Sequence, residues 1–87
     1  MAESEIVVPI IHLNGDRKEV LLERLERAYD ALQAAYALLK DCAPNGRNYY
    51  PAPGLMERAI AQHLERQRHL DAVLESIDQE LGALGAL

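Results

Sequence analysis

Residues 16–41 read DRKEVLLERLERAYDALQAAYALLKD, and this stretch decides the fold. It has no glycine or proline, and it is rich in leucine, alanine, glutamate and arginine, which lose least on entering a helix. Leu21, Leu25, Ala28, Leu32, Ala35 and Leu39 follow alternating steps of four and three, the spacing of an a/d seam. Leu22, Tyr29 and Tyr36 recur every seven residues beside that seam and widen the apolar face enough for more than one neighbour. Asp16, with Glu19 three residues on, has the pattern of a capping box. Pro44-Asn45-Gly46 stops the helix, which is expected over residues 16–42.

Working outward, residues 43–54 hold three prolines, two glycines, two asparagines, Arg47 and the Tyr49-Tyr50 pair, and read as a stiffened loop. A second helix is expected over 55–81, with the seam Met56, Ile60, His63, Gln67, Leu70, Leu74, Ile77, Leu81. Residues 82–87, rich in glycine and alanine, read as a frayed tail. Upstream, Ile6 to Leu13 is β-branched and extended, but Pro9 lacks the donor that a central strand needs. The arm over 6–15 ends in the turn Asn14-Gly15, and residues 1–5 read as disordered. The fold class is all-α, a long antiparallel helical hairpin over 16–81 with a short extended N-terminal arm. A tight fold at the loop sets Leu39 near Met56, Leu32 near His63, Ala28 near Gln67 and Leu21 near Leu74.

Eighty-seven residues make one domain, below the size at which a single core is comfortably stable. Chains of this size add disulfides, a metal or a partner subunit. Cys42 is the only cysteine, so no internal disulfide forms and the chain suits a reducing compartment. Two hairpins pairing into a helical bundle, as a homo-oligomer, is the remaining staple. The acidic start Met1-Ala2-Glu3-Ser4-Glu5 lacks the positive charge of a secretory signal, and the run Ile6–Leu13 is too short to span a bilayer. A cytoplasmic protein with no membrane association is expected. The net charge of −5, with basic residues interleaved among acidic ones, disfavours binding to a nucleic acid duplex.

Little here suggests catalysis. The only serines are Ser4 and Ser76, there is no threonine, and Cys42 has no histidine near it in sequence. His63 and Gln67 are polar residues at seam positions, read as a register-setting polar layer rather than a ligand site. Metal-holding bundles use Glu-x-x-His pairs, and Glu65 is followed three residues on by Arg68, so no metal and no cofactor are expected. Glu65 with His69 and Glu23 with Arg27 read as surface pairs, and Asp71, Glu75 and Asp78 as a solvated acidic face.

Two irregular segments are richer than turns require. His12, Asn14 and Arg17 cluster in the first, and Arg47, Asn48, Tyr49 and Tyr50 in the second. Tyrosine offers a face for stacking a base, arginine a fork for phosphate, and asparagine a donor–acceptor pair for a base edge or ribose. The alternative is that Tyr49 and Tyr50 plug the bundle end while Arg47 caps helix carbonyls. The two segments lie at opposite ends of helix one, so they meet only across an interface between protomers.

On these residues, Pro9-Ile10-Ile11-His12-Leu13-Asn14-Gly15 and Pro44-Asn45-Gly46-Arg47-Asn48-Tyr49-Tyr50-Pro51, the chain resembles a family of small phage and prophage proteins, from about Pro9 to Leu81. That resemblance carries no established activity. In size, expected association and site chemistry the chain also looks like the phage-encoded "sponges" that sequester cyclic nucleotide or cyclic ADP-ribose signals of host immunity, an analogy of kind rather than of aligned residues. The expected function is therefore non-catalytic: anti-defence sequestration of a small nucleotide-derived signal. The alternative is a structural or adaptor helical oligomer that docks other proteins.

Overall fold

In the computed structural model, residues 6–87 are described, and the expectation for residues 1–5 falls outside them. Helix α1 spans Lys18–Lys40, a 3-10 turn η1 spans Gly46–Asn48, and helix α2 spans Leu55–Gly85. The described residues contain no strand, and residues 6–12 have no regular secondary structure. The architecture is all-helical, with α1 packed on α2.

The helix ends depart from the expected caps. Arg17, in extended conformation, takes the N-cap position of α1 with no side-chain cap. The Asp16 carboxylate instead accepts from Arg24 Nη1 at 3.2 Å, two turns along the helix. That ion pair draws Asp16 to the side of the helix, away from the amides at its mouth. At the other end, Asp41, Cys42 and Ala43 each donate to a carbonyl three residues back, a tightened last turn that Pro44 terminates because it has no N–H. α2 begins after Gly54, whose φ of 80° is a left-handed conformation that glycine adopts without a Cβ penalty.

α2 continues four residues past the expected stop at Leu81. Leu84 has no exposed surface, so its burial holds the last turn in register. α2 has no basic residue in its own last turn, and Lys18 of α1 supplies one: its Nζ donates to the carbonyls of Gly85 at 3.3 Å and Leu87 at 2.7 Å. A cation on the free C-terminal carbonyls satisfies them and opposes the helix dipole. These tertiary contacts outweigh the low helix propensity of Gly82 and Gly85.

The register differs from the tight fold. Tyr36 bonds to Asp71, where the tight fold opposes it to Ala59, so α2 is displaced by about twelve residues, roughly 18 Å of helix rise. The loop is the reason. It is a succession of turns, with Asn48 donating to Asn45, Ala52 to Tyr49 and Leu55 to Ala52, and it takes up space beside the first turns of α2. Pro44 and Tyr49 are its half-buried members.

The α2 seam is Met56, Ala59, His63, Gln67, Leu70, Leu74, Ile77, Leu81 and Leu84, with Ile60 40% exposed on its flank. On α1 the inward row is Leu22, Leu25, Tyr29, Leu32, Tyr36 and Leu39, while Ala28 and Ala35 face solvent. The larger side chains fill the space between the helices better than the alanines do. Only His63, Leu74 and Leu84 are buried among the described residues. The dimensions are 62 × 29 × 18 Å, and the radius of gyration is 18.3 Å. A compact chain of this length has a radius of about 12 Å. No described helix is long and apolar enough to cross a membrane.

Candidate functional site

The seven candidate residues fall into two groups at opposite ends of α1, whose 23 residues separate them by about 33 Å. His12, Asn14 and Arg17 form the first group, all exposed. The His12 carbonyl accepts from Gly15 N at 3.2 Å and its Nδ1 accepts from Asn14 N at 3.3 Å, which closes the turn on itself. With Nδ1 accepting, the neutral ring carries its proton on Nε2. A Cβ on Gly15 would lie 3.0 Å from that Nε2, so the glycine admits the ring. Because Lys18 reaches the α2 carbonyls, this group sits at the C-terminal end of α2.

The second group is built on η1. Asn45 Oδ1 accepts from Arg47 N at 2.9 Å, and Gly46 O accepts from both Tyr49 N and Tyr50 N at 3.1 and 3.0 Å. These bonds fix the backbone while Arg47 and Asn48 remain exposed and Tyr50 is 82% exposed. The Arg47 side chain has no hydrogen bond or ion pair among the described residues, so it does not cap α1. Tyr49 is half-buried and Tyr50 is not, so the two tyrosines have different surroundings.

A third feature was not evident in the sequence. An open groove of about 760 Å³ runs between the helices, lined by Tyr29, Tyr36 and Lys40 of α1 and by Asp71, Glu75 and Asp78 of α2. Tyr36 Oη donates to Asp71 Oδ2 at 3.0 Å, and Lys40 Nζ lies 5.3 Å from the Tyr36 ring centroid. The hydrogen bond to Asp71, then partial burial and the nearby carboxylate charge, raise the Tyr36 pKa above its ordinary value. Three carboxylates against one ammonium make the groove unfavourable for a phosphate. The available signal was the pair of tyrosines seven residues apart, but the acidic residues facing them depend on the helix register.

His63 is buried, yet it makes no side-chain hydrogen bond to Gln67 or to any other described residue. On the outer face of α2, Glu65 contacts both Arg68, at 2.6 Å, and His69, at 2.9 Å. The Arg68 guanidinium, by hydrogen bond and by charge, holds the Glu65 carboxyl below its ordinary pKa, with a smaller contribution from His69. Glu23 and Arg27 do not form an ion pair. No group of three or more His, Cys, Asp or Glu is placed to hold a metal among the described residues.

Comparison with family models, with curated proteins and with solved structures returned no match for this chain.

Proposed function

We propose that this protein is a non-catalytic binder: two hairpins associate, and pockets shared between them hold a small, flat, anionic ligand of the nucleotide-derived signalling class. One observation carries the reading. The Asn45–Tyr50 turn is fixed by its own backbone bonds, yet presents Arg47, Asn48 and Tyr50 outward without internal partners. A turn already fixed in its backbone loses little backbone entropy on binding. Arg47 and Arg17 meet phosphate or pyrophosphate, Tyr50 and Tyr49 stack on the base, and His12, Asn14 and Asn48 read ribose or base edges. The small buried core supports self-association, since two helices with three buried side chains leave most of their apolar surface uncovered. The likeness to phage proteins that sequester immune signals belongs to this proposal too.

The test is thermal unfolding against cyclic dinucleotides, cyclic oligonucleotides, cyclic ADP-ribose isomers and NAD. A ligand at about 100 times its Kd adds roughly 2.7 kcal/mol, a rise of several degrees in a domain this small. The rise should disappear in Arg47→Ala and shrink in Tyr50→Ala. A flat panel at high ligand concentration rejects the ligand.

A second reading has its own support. Val7, Ile10 and Leu13 of the arm are 84%, 80% and 98% exposed, a run of apolar side chains suited to a protein partner. In an adaptor, Ile10→Asp would abolish capture of a partner, and nucleotides would have no effect.

A further inference from the structure

The groove between α1 and α2 carries a pattern that occurs twice. Tyr36 donates to Asp71, and Lys18 at the start of α1 reaches the carbonyls at the end of α2, so the two helices run antiparallel. Seven residues back along α1, to Tyr29, therefore matches seven residues forward along α2, to Asp78, a step of about 10 Å. Both tyrosines and both aspartates line the groove, with Glu75 in the same row as the aspartates and buried Leu74 beside them. Each end thus combines an aromatic ring with a carboxylate. An organic cation is attracted to the first by the ring quadrupole and to the second by charge.

The chain fills one end itself. Lys40 Nζ lies 5.3 Å from the Tyr36 ring centroid, inside the distance of about 6 Å over which a ring attracts an ammonium. Lys40 is also the sole basic residue lining the groove. The Tyr29 end has no such occupant. Tyr29 Oη accepts from Gln33 Nε2 at 3.3 Å, while Glu75 and Asp78 have no hydrogen bond or ion pair among the described residues.

The shape of the negative charge narrows the ligand. The carboxylates are strung along α2 rather than gathered, and no described trio of His, Cys, Asp or Glu is placed to hold a metal ion. Charge spread over about 10 Å, with aromatic and aliphatic surface between, matches several ammonium groups joined by methylene chains. The volume of about 760 Å³ lies within the range of small-molecule sites, about 300–1,000 Å³.

We propose that this groove binds a linear aliphatic polyamine of the spermidine class. One ammonium lies on the Tyr29 ring against Glu75 and Asp78, and the methylene chain runs over Leu74. A second ammonium meets Asp71 Oδ1, the oxygen that Tyr36 leaves free. The site is separate from the one proposed above: none of the seven candidate residues lines the groove, and the charge it selects is opposite.

The test is titration calorimetry of the full chain with spermidine and with magnesium chloride, at matched ionic strength because salt screens exposed charges. Spermidine should bind at one site per chain, and magnesium should not. Glu75→Gln and Asp78→Asn should each weaken spermidine by about two- to five-fold, the share of one exposed ion pair. Lys40→Met vacates the Tyr36 ring and should tighten binding. Glu57→Gln removes the same charge from the first turn of α2, about 21 Å along the helix from Asp71, and should leave the affinity unchanged. All four replaced side chains are exposed, so helical circular dichroism should be retained. No binding of spermidine to the wild type overturns the site. Equal binding of magnesium, or equal weakening by Glu57→Gln, also overturns it, since either marks a general response to the net charge of −5. Weaker binding by Lys40→Met overturns the placement on the two rings. The nucleotide panel reads the loop groups instead, so either proposal fails without the other.

Discussion

Truncating Leu84 to alanine probes the part of the fold that departs most from local propensity. Leu84 is fully buried, in the last turn of α2, between two glycines that on their own would let the helix fray. Removing its three outer carbons forfeits about 2 kcal/mol of transfer energy. The cavity left behind brings the cost of such a change to about 3 kcal/mol, within the usual range for a buried leucine. A chain of 87 residues has about 4–13 kcal/mol of stability in all, so this one change takes a large share. At about 4–8 °C per kcal/mol for a domain of this size, the melting temperature should fall by roughly 12–24 °C. The assay is urea unfolding followed by far-ultraviolet circular dichroism, at one fixed protomer concentration because association shifts the midpoint. Leu87→Ala is the control: Leu87 is 65% exposed, and its truncation should change stability by less than about 0.5 kcal/mol. Deleting residues 82–87 should cost more than Leu84→Ala, because it also removes the carbonyls that accept from Lys18. If Leu84→Ala and Leu87→Ala unfold within about 0.5 kcal/mol of each other, the last turn is not packed and the account of α2 given above is wrong.

Two further outcomes follow from the geometry. The Tyr36 pKa is raised, so the stabilisation from its hydrogen bond to Asp71 is fully present below the ordinary tyrosine pKa and is lost as pH rises through the raised value; Asp71→Asn should therefore bring Tyr36 ionisation to lower pH in an ultraviolet titration, and an unmoved titration would refute the bond. Gly54→Ala forces a Cβ into a left-handed backbone at the entry to α2 and should cost about 1–2 kcal/mol in chemical unfolding, whereas Gly46→Ala, where a Cβ meets nothing within 4 Å and φ is not positive, should cost less.

The sequence by itself determined the two helices, the loop between them and most of the α2 seam, from Met56 through His63 to Leu81. Those features depend on local propensity and on apolar spacing, which a chain carries without reference to its neighbours. Arg47, Asn48 and Tyr50 stand out in the sequence because they exceed what a proline-bounded turn requires, whereas their exposure and lack of internal partners are features of the structure. The placement of one helix on the other was not legible. A seam that repeats every seven residues matches its partner almost as well in a shifted register, so spacing alone does not select the displacement that brings Tyr36 to Asp71. That displacement creates the tyrosine and carboxylate groove and carries Lys18 to the end of α2. Asp16 and Leu84 make the same point from opposite ends: a favourable cap residue was drawn off by Arg24, and a tail expected to fray was held by burial. Tertiary structure decided the end of α2 because burying one leucine outweighs the roughly 1 kcal/mol that a glycine costs a helix.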